Sequence, residues 1–193
     1  MNAWFLRVKT ATAGLALMAM LAPSALIAQA PAQTESPAHQ GLPDITVELV
    51  RNGKFSANGG SFNGWNYNQG QDNFYWQVVP LPTGGYAASN GCTGVACITP
   101  AGSEQNYLSQ TLFTIPGLCY KLTFTYDAGA GGVNELKVLF GDVVAKDIVN
   151  TAQGATTYTV TVRANKFETP LNFLGRQDNG FSFLSNVSVK FTL

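Results

Sequence analysis

The sequence predicts a nearly all-β domain folded as a two-sheet sandwich, and three observations predict it. From Ile45 onward apolar side chains recur with a period of two, no window carries an amphipathic-helix stripe, and residues suited to tight turns punctuate the alternating segments. A strand with one apolar face must bury it, so many short strands of this kind stack two sheets or close a barrel. The two-sheet sandwich is the expectation adopted here.

In chain order the first element is an export signal over residues 1–30. Arg7 and Lys9 supply a positive head, residues 11–27 are uncharged and apolar, and Ala28-Gln29-Ala30 is a small-x-small cleavage site. Cleavage after Ala30 would start the mature chain at Pro31 and leave 163 of the 193 residues, near the length of one ordinary domain. An uncleaved anchor is the competing reading, opposed by Pro23, Ser24 and the cleavage motif. Residues 31–43 hold three prolines among small polar residues and read as a flexible linker. A single β-sandwich domain then occupies residues 44–193.

Within that domain the clearest strand is Tyr120-Lys-Leu-Thr-Phe-Thr-Tyr126, with Tyr120, Leu122, Phe124 and Tyr126 on one face. Residues 157–163 repeat the scheme with Tyr158, Val160 and Val162 inward, and residues 187–193 put Val187, Val189, Phe191 and Leu193 together. Further strands are expected at 45–50, 73–79, 106–115, 135–140, 143–149 and 170–175. Asn52-Gly53, Pro116-Gly117, residues 129–132, Gly141-Asp142 and Asp178-Asn179-Gly180 supply the turns. Residues 52–73, rich in Gly and Asn yet carrying Phe62, Trp65 and Tyr67, read as a long decorated loop.

Composition narrows the chemistry. Lys plus Arg and Asp plus Glu number 11 each, and two of the cations leave with the signal, so the mature charge is −2. Neither nucleic acid nor an anionic membrane is the expected partner, since both need a concentrated cationic surface. The single histidine, His39, lies in the linker, which removes the commonest general base and leaves Cys92, Cys97 and Cys119 without an activating partner. Asp127 and Asp178 bracket glycine-rich turns and are the acids most able to approach one another, but nothing in their spacing demands it. A non-enzyme is expected, with a glycosidase or lyase on the same scaffold as the catalytic alternative.

Export permits disulfides. A Cys92–Cys97 bridge fits the short loop between them and leaves Cys119 as a buried apolar thiol, although three cysteines allow three single-bridge pairings.

Three segments carry a resemblance. Val50-Arg-Asn-Gly-Lys-Phe-Ser56 followed by Gly64-Trp65, then Leu108-Ser-Gln-Thr-Leu-Phe-Thr-Ile-Pro-Gly117 leading into Tyr120, then Phe183-Leu-Ser-Asn-Val-Ser-Val189, stand in the order found in galactose-binding-like jelly-roll carbohydrate-binding modules. The mature domain resembles that family, in its cellulose-binding CenC-like type, as a secreted bacterial protein. The resemblance implies a jelly roll, a glycan or polysaccharide partner, and a structural calcium held partly at positions that here read Ser56 and Asn186. Calcium prefers carboxylates, and Lys54 adds the wrong charge, so no metal and no cofactor is expected.

A sugar site joins an aromatic platform to planar polar side chains. Trp65, in the family's opening motif, is expected in the core. In Phe74-Tyr75-Trp76-Gln77-Val78 alternation puts Trp76 and Tyr75 on opposite faces, so Trp76 is either core or platform, with Tyr75 the platform if Trp76 is buried. Arg176, Gln177 and Asp178 are expected in a turn as polar ligands, the bland alternative being an Arg176–Asp178 surface pair. Recognition of a neutral glycan is the function implied. The opposing reading is a secreted structural or adhesive protein acting through protein–protein contacts.

Overall fold

The computed structural model describes residues 47–68, 75–92, 106–129 and 133–192. Among these residues ten strands occur: β1 (Asn66–Tyr67), β2 (Tyr75–Pro80), β3 (Tyr86–Cys92), β4 (Asn106–Phe113), β5 (Cys119–Ala128), β6 (Asn134–Phe140), β7 (Val143–Val149), β8 (Gln153–Arg163), β9 (Glu168–Gln177) and β10 (Gly180–Phe191). They form two antiparallel five-stranded sheets, ordered β1-β4-β9-β6-β7 and β2-β3-β10-β5-β8, packed as a jelly-roll sandwich. The fold class read from the sequence is the one observed.

Alternation decides which side chains meet between the sheets. In β5 Tyr120, Leu122, Phe124 and Tyr126 are buried while Lys121, Thr123 and Thr125 face outward, and β4, β6 and β9 contribute Leu108, Leu112, Leu136, Val138, Leu171 and Phe173 from the facing sheet. Trp65 is buried as expected; its indole N–H donates to the Asn52 carbonyl at 3.2 Å and its ring packs on Phe55 and Phe173. Two hairpins turn where the sequence placed them: Gly141 and Asn179 both adopt positive φ, at 63° and 54°.

Three features depart from the sequence reading. β3 was not expected, because Ala87, Ala88, Ser89, Asn90 and Gly91 are small and buried on both faces, which leaves no alternation to read. The segment expected as a strand at 45–50 pairs only through a bridge from Glu48 to Lys190, with residues 45 and 46 outside the described residues. Glu48 clamps it: one carboxylate oxygen accepts from the Val50 and Val189 amides at 3.0 and 2.8 Å, the other from the Ser188 hydroxyl at 2.6 Å. Finally, β10 carries a bulge between Ser185 and Ser188, where Asn186 adopts φ 53°. Leu184 points inward, and the extra residue keeps Val187 and Val189 inward instead of flipping them to solvent.

The fully buried Tyr126 ties pH to stability. Burial holds its hydroxyl neutral and raises its pKa from 10.0 to about 12, with Ser182 nearby acting in the opposite sense; among the described residues no atom stands in hydrogen-bonding geometry to it. An acid whose folded pKa lies above its unfolded value contributes stability that is complete below pH 10 and lost as pH rises toward 12. Unfolding free energy is therefore expected to fall over that window by up to about 3 kcal/mol, and Tyr126→Phe to flatten it. Denaturant titrations of both chains at a series of alkaline pH values check this.

Candidate functional site

The five residues singled out as ligands separate in the structure. Trp76 is 2% exposed, its indole N–H donates to the Asn106 carbonyl at 3.2 Å, and its Cζ2 would lie 2.7 Å from any Cβ placed on Gly175. No face of that ring is open to a sugar, so of the two roles left open for it the core is the one the packing allows. Tyr75 follows the other parity, its backbone opposite Gly91; its side chain lies outside the described residues.

Arg176, Gln177 and Asp178 do not share a turn. β9 runs through Gln177, and only Asp178 and Asn179 form the bend into β10. Strand parity therefore sends Gln177 inward, where it is fully buried, and Arg176 outward. Burial, not exposure, is the state of this group. The Arg176 guanidinium grips Asp178 as a fork, Nε to Oδ1 at 3.0 Å and a terminal nitrogen to Oδ2 at 2.6 Å. With side chains only 12% and 11% exposed, this is a largely buried pair and not the solvated surface pair of the bland reading. The hydrogen bond to Asp178 raises the Arg176 pKa above its ordinary value; desolvation opposes it, and the charges of Asp178 and Glu135 add to it.

Register assembles the surface around Arg176. Across the outer face of the β1-β4-β9-β6-β7 sheet, Arg176 lies opposite Glu135; the next row reads Tyr107, Leu174, Lys137 and Asp147; the next reads Asn66, Ser109, Asn172 and Leu139. Tyr107 is 41% exposed and diagonal to Arg176 on the neighbouring strand. Its backbone is fixed by Asn68, whose side-chain oxygen accepts from the Tyr107 amide at 2.7 Å. Lys137 and Asp147 stand 3.8 Å apart, so the face mixes both signs around one aromatic ring. Tyr107 escaped the sequence reading, although its signal was present: in Asn106-Tyr-Leu-Ser-Gln-Thr-Leu-Phe113 alternation puts Tyr107 among Ser109 and Thr111, away from Leu108 and Leu112.

This arrangement can stack a flat apolar face and hydrogen-bond hydroxyls. It offers no paired acids working on one bond: Asp178 is gripped by Arg176, to which Glu135 is also drawn, while Asp127 points outward from the other sheet.

The calcium implied by the resemblance does not fit the residues at its positions. Ser56 and Asn186 are exposed and neutral, and no cluster of three acidic, His or Cys side chains occurs among the described residues. The adjoining loop is closed instead by an amide: Asn52 Nδ2 donates to the Ser61 and Asn63 carbonyls at 2.8 and 3.1 Å, and its oxygen accepts from the Ala57 amide at 3.1 Å. Carbonyls that already accept from a side-chain donor are poor cation ligands.

Cys119 also differs from expectation. Its thiol is free and sits half-buried on the outer face of β5, level with Arg163, and is not sealed in the core. Cys92 is buried; Cys97 lies outside the described residues.

By its fold the protein is a jelly-roll sandwich of the kind found in carbohydrate-binding modules. Among solved structures it is similar to the enzymatically active domain of tailspike protein 4 of bacteriophage CBA120, at TM-score 0.54 and 16% identity over 76% of this chain and 22% of that one. It is similar to the CBM22-1–GH10 modules of Clostridium thermocellum xylanase 10B complexed with xylohexaose, at TM-score 0.51 and 16% identity over 76% of this chain and 29% of that one. It is also similar to TmCBM61 in complex with β-1,4-galactotriose, at TM-score 0.52 and 18% identity over 76% of this chain and 99% of that one. The chain thus spans less than a third of the first two and nearly all of the third. At these identities the likeness establishes fold. No protein-family model and no curated protein sequence matches the chain.

Proposed function

We propose that this chain is an exported, non-catalytic module that binds a neutral glycan on the outer face of the β1-β4-β9-β6-β7 sheet. The observation that carries the reading is Tyr107: a half-exposed aromatic ring opposite Leu174 on the outer sheet face, with Arg176, Glu135, Asn172 and Asn66 in the adjoining rows and Phe113 at the far end of the same strand. Sugar rings present C–H faces for stacking and hydroxyls for planar bidentate side chains, and both partners are on this face. Opposite charges lie interspersed across it, which suits a neutral ligand better than a polyanion. Xylohexaose and β-1,4-galactotriose in two structural neighbours lend the fold precedent for oligosaccharides. No metal or cofactor takes part, and nucleic acid and membrane are not partners of the mature chain.

On this reading residues 1–30 would be removed as an export signal and residues 31–43 would serve as a linker, both outside the described residues, and the module from residue 44 would act in a periplasm or outside the cell. The same compartment allows the Cys92–Cys97 bridge. Mass analysis of the exported product is expected to show a chain starting at Pro31, and unreduced peptide mapping to recover Cys92 linked to Cys97. Cys119, half-buried on a sheet face, is expected to alkylate in the folded protein; its recovery in a disulfide would refute the pairing.

A glycan array probed with residues 31–193 tests the binding. Retention on neutral oligosaccharides, lost in Tyr107→Ala, is the expected result. A second reading has its own observation. At the other end of the sandwich Val47, Leu49, Phe113, Ile115, Leu118, Tyr120 and Phe191 line an apolar groove of about 220 Å3, with Phe113 75% exposed. Val47, Phe113 and Ile115 are exposed around this groove, apolar surface that a protein partner would cover. If the array is empty across a broad panel, the adhesive, protein-binding reading replaces the glycan one.

A further inference from the structure

An open sheet edge offers unpaired N–H and C=O groups to any extended chain, and folded proteins blunt such edges with short strands, prolines, charges or bulges. Among the described residues three of the four sheet edges carry one of these devices. β1 has two residues, β2 ends at Pro80, and β7 carries Lys146 and Asp147 together with an extra residue, Ala145, that breaks its register with β6. The fourth edge, β8, differs. Apart from an irregularity at its start, residues 156–163 pair with β5 without interruption, and no proline or charge occurs before Arg163. Six of those eight residues are Thr156, Thr157, Thr159, Val160, Thr161 and Val162, β-branched side chains suited to a paired strand.

The backbone agrees. Among the described residues, no backbone group of 156–163 hydrogen-bonds outside the ladder with β5, so the outward row of β8 has no backbone partner. Arg163, the terminal charge, is turned onto the Gly117 carbonyl at 2.9 Å. Lys146 covers the Tyr158 ring, 5.1 Å from its centroid, on the side facing the other sheet.

We propose that β8 pairs antiparallel with β8 of a second copy of this chain, joining two β2-β3-β10-β5-β8 sheets across a two-fold axis. A second copy is the partner because the strand complements itself. Centred on Thr159, the two-fold sets Thr159 opposite Thr159 and Thr157 opposite Thr161 on the outer face, with Tyr158 opposite Val160 inside. Arg163 then lies opposite Ala155, so no like charges meet. The threonine pairing continues what β8 already does with β5, where Thr125 and Thr157 hydroxyls meet at 3.0 Å. An isologous contact of this kind closes at two chains and uses both β8 edges, so the joined sheet ends at β2 on each side, where Pro80 blunts it. It also leaves the Tyr107 face, on the other sheet, uncovered in both copies, so a dimer would hold two such faces and gain avidity on a repeating glycan.

Sedimentation equilibrium of the exported chain from micromolar to millimolar concentration tests the proposal. The expected result is a monomer–dimer equilibrium with no larger species, weakened roughly tenfold or more in Thr159→Lys, with circular dichroism unchanged and a thermal midpoint equal to the parent's at concentrations where the parent is monomeric. Val149→Lys, the same charge on the β7 edge, is expected to dimerise as the parent does. Hydrogen exchange on the unmodified chain is expected to show amides of 156–163 gaining protection as concentration rises. A monomer throughout the range, an unaffected Thr159→Lys dimer, a Val149→Lys chain that dissociates equally, or exchange in β8 that ignores concentration would each overturn it.

Discussion

Tyr107→Ala is expected to weaken retention on whichever oligosaccharide the parent binds by about tenfold or more, or about 1.4 kcal/mol, while leaving the fold intact. The asymmetry has a simple origin. A sugar hydroxyl exchanges a water hydrogen bond for a protein one and gains only about 0.5–1.5 kcal/mol net. Stacking against an aromatic face removes apolar area from water at both partners and has no competitor in solvent. Because Tyr107 is 41% exposed and its neighbours across the sheet pack without it, truncation opens no cavity in the core. Tyr107→Phe should keep most of the affinity, losing at most the contribution of one hydroxyl, and Asn172→Ala should cost less than Tyr107→Ala. Titration calorimetry on the array's strongest ligand measures all three. If Tyr107→Ala binds as the parent does, this face is not the site.

The sequence made the fold legible where strands are half-buried, because there a period of two appears as letters. β5, β6 and β7 are readable to within two residues of their ends, and in β5 the inward face as well. β3 could not, since a strand buried on both faces and built from small residues presents no contrast. The bulge in β10 was invisible for a related reason: Leu184 and Val187 are both inward although an odd number of residues apart, a parity change that only the partner strands reveal. The candidate site fared less well. Alternation states which side chains share a face but not which face is inside, so Trp76 could not be assigned. Arg176 was singled out on the ground that a turn exposes it, yet it faces outward through strand parity, and its grip on Asp178 makes the pair structural. Tyr107 is readable in principle, being the lone large ring on the polar parity of its strand between Asn106 and Thr111, but the denser aromatic cluster at 74–76 is the stronger signal in the letters.

The largest effect expected on stability comes from Trp76→Ala, at about 3–5 kcal/mol, enough to threaten folding of a domain this size. The side chain is 2% exposed, and its removal leaves a cavity between β2 and β9 together with an Asn106 carbonyl stripped of its indole donor. Gly175 explains why so large a ring fits: a glycine on the inner face of β9 lets the indole edge lie where a Cβ would come within 2.7 Å, with the Asn90 side chain 3.1 Å away on the same spot. Gly175→Ala is therefore expected to destabilise as well, by forcing the indole and the Asn90 side chain aside. The two sites should couple. Trp76→Phe withdraws the atoms that collide with the new methyl, so Gly175→Ala should cost less in the Trp76→Phe chain than in the parent, a non-additivity expected only of residues in contact. Denaturant unfolding of the parent, the two single variants and the double variant measures that coupling; equal costs of Gly175→Ala in both backgrounds would show that the ring and the glycine do not share the space assigned to them.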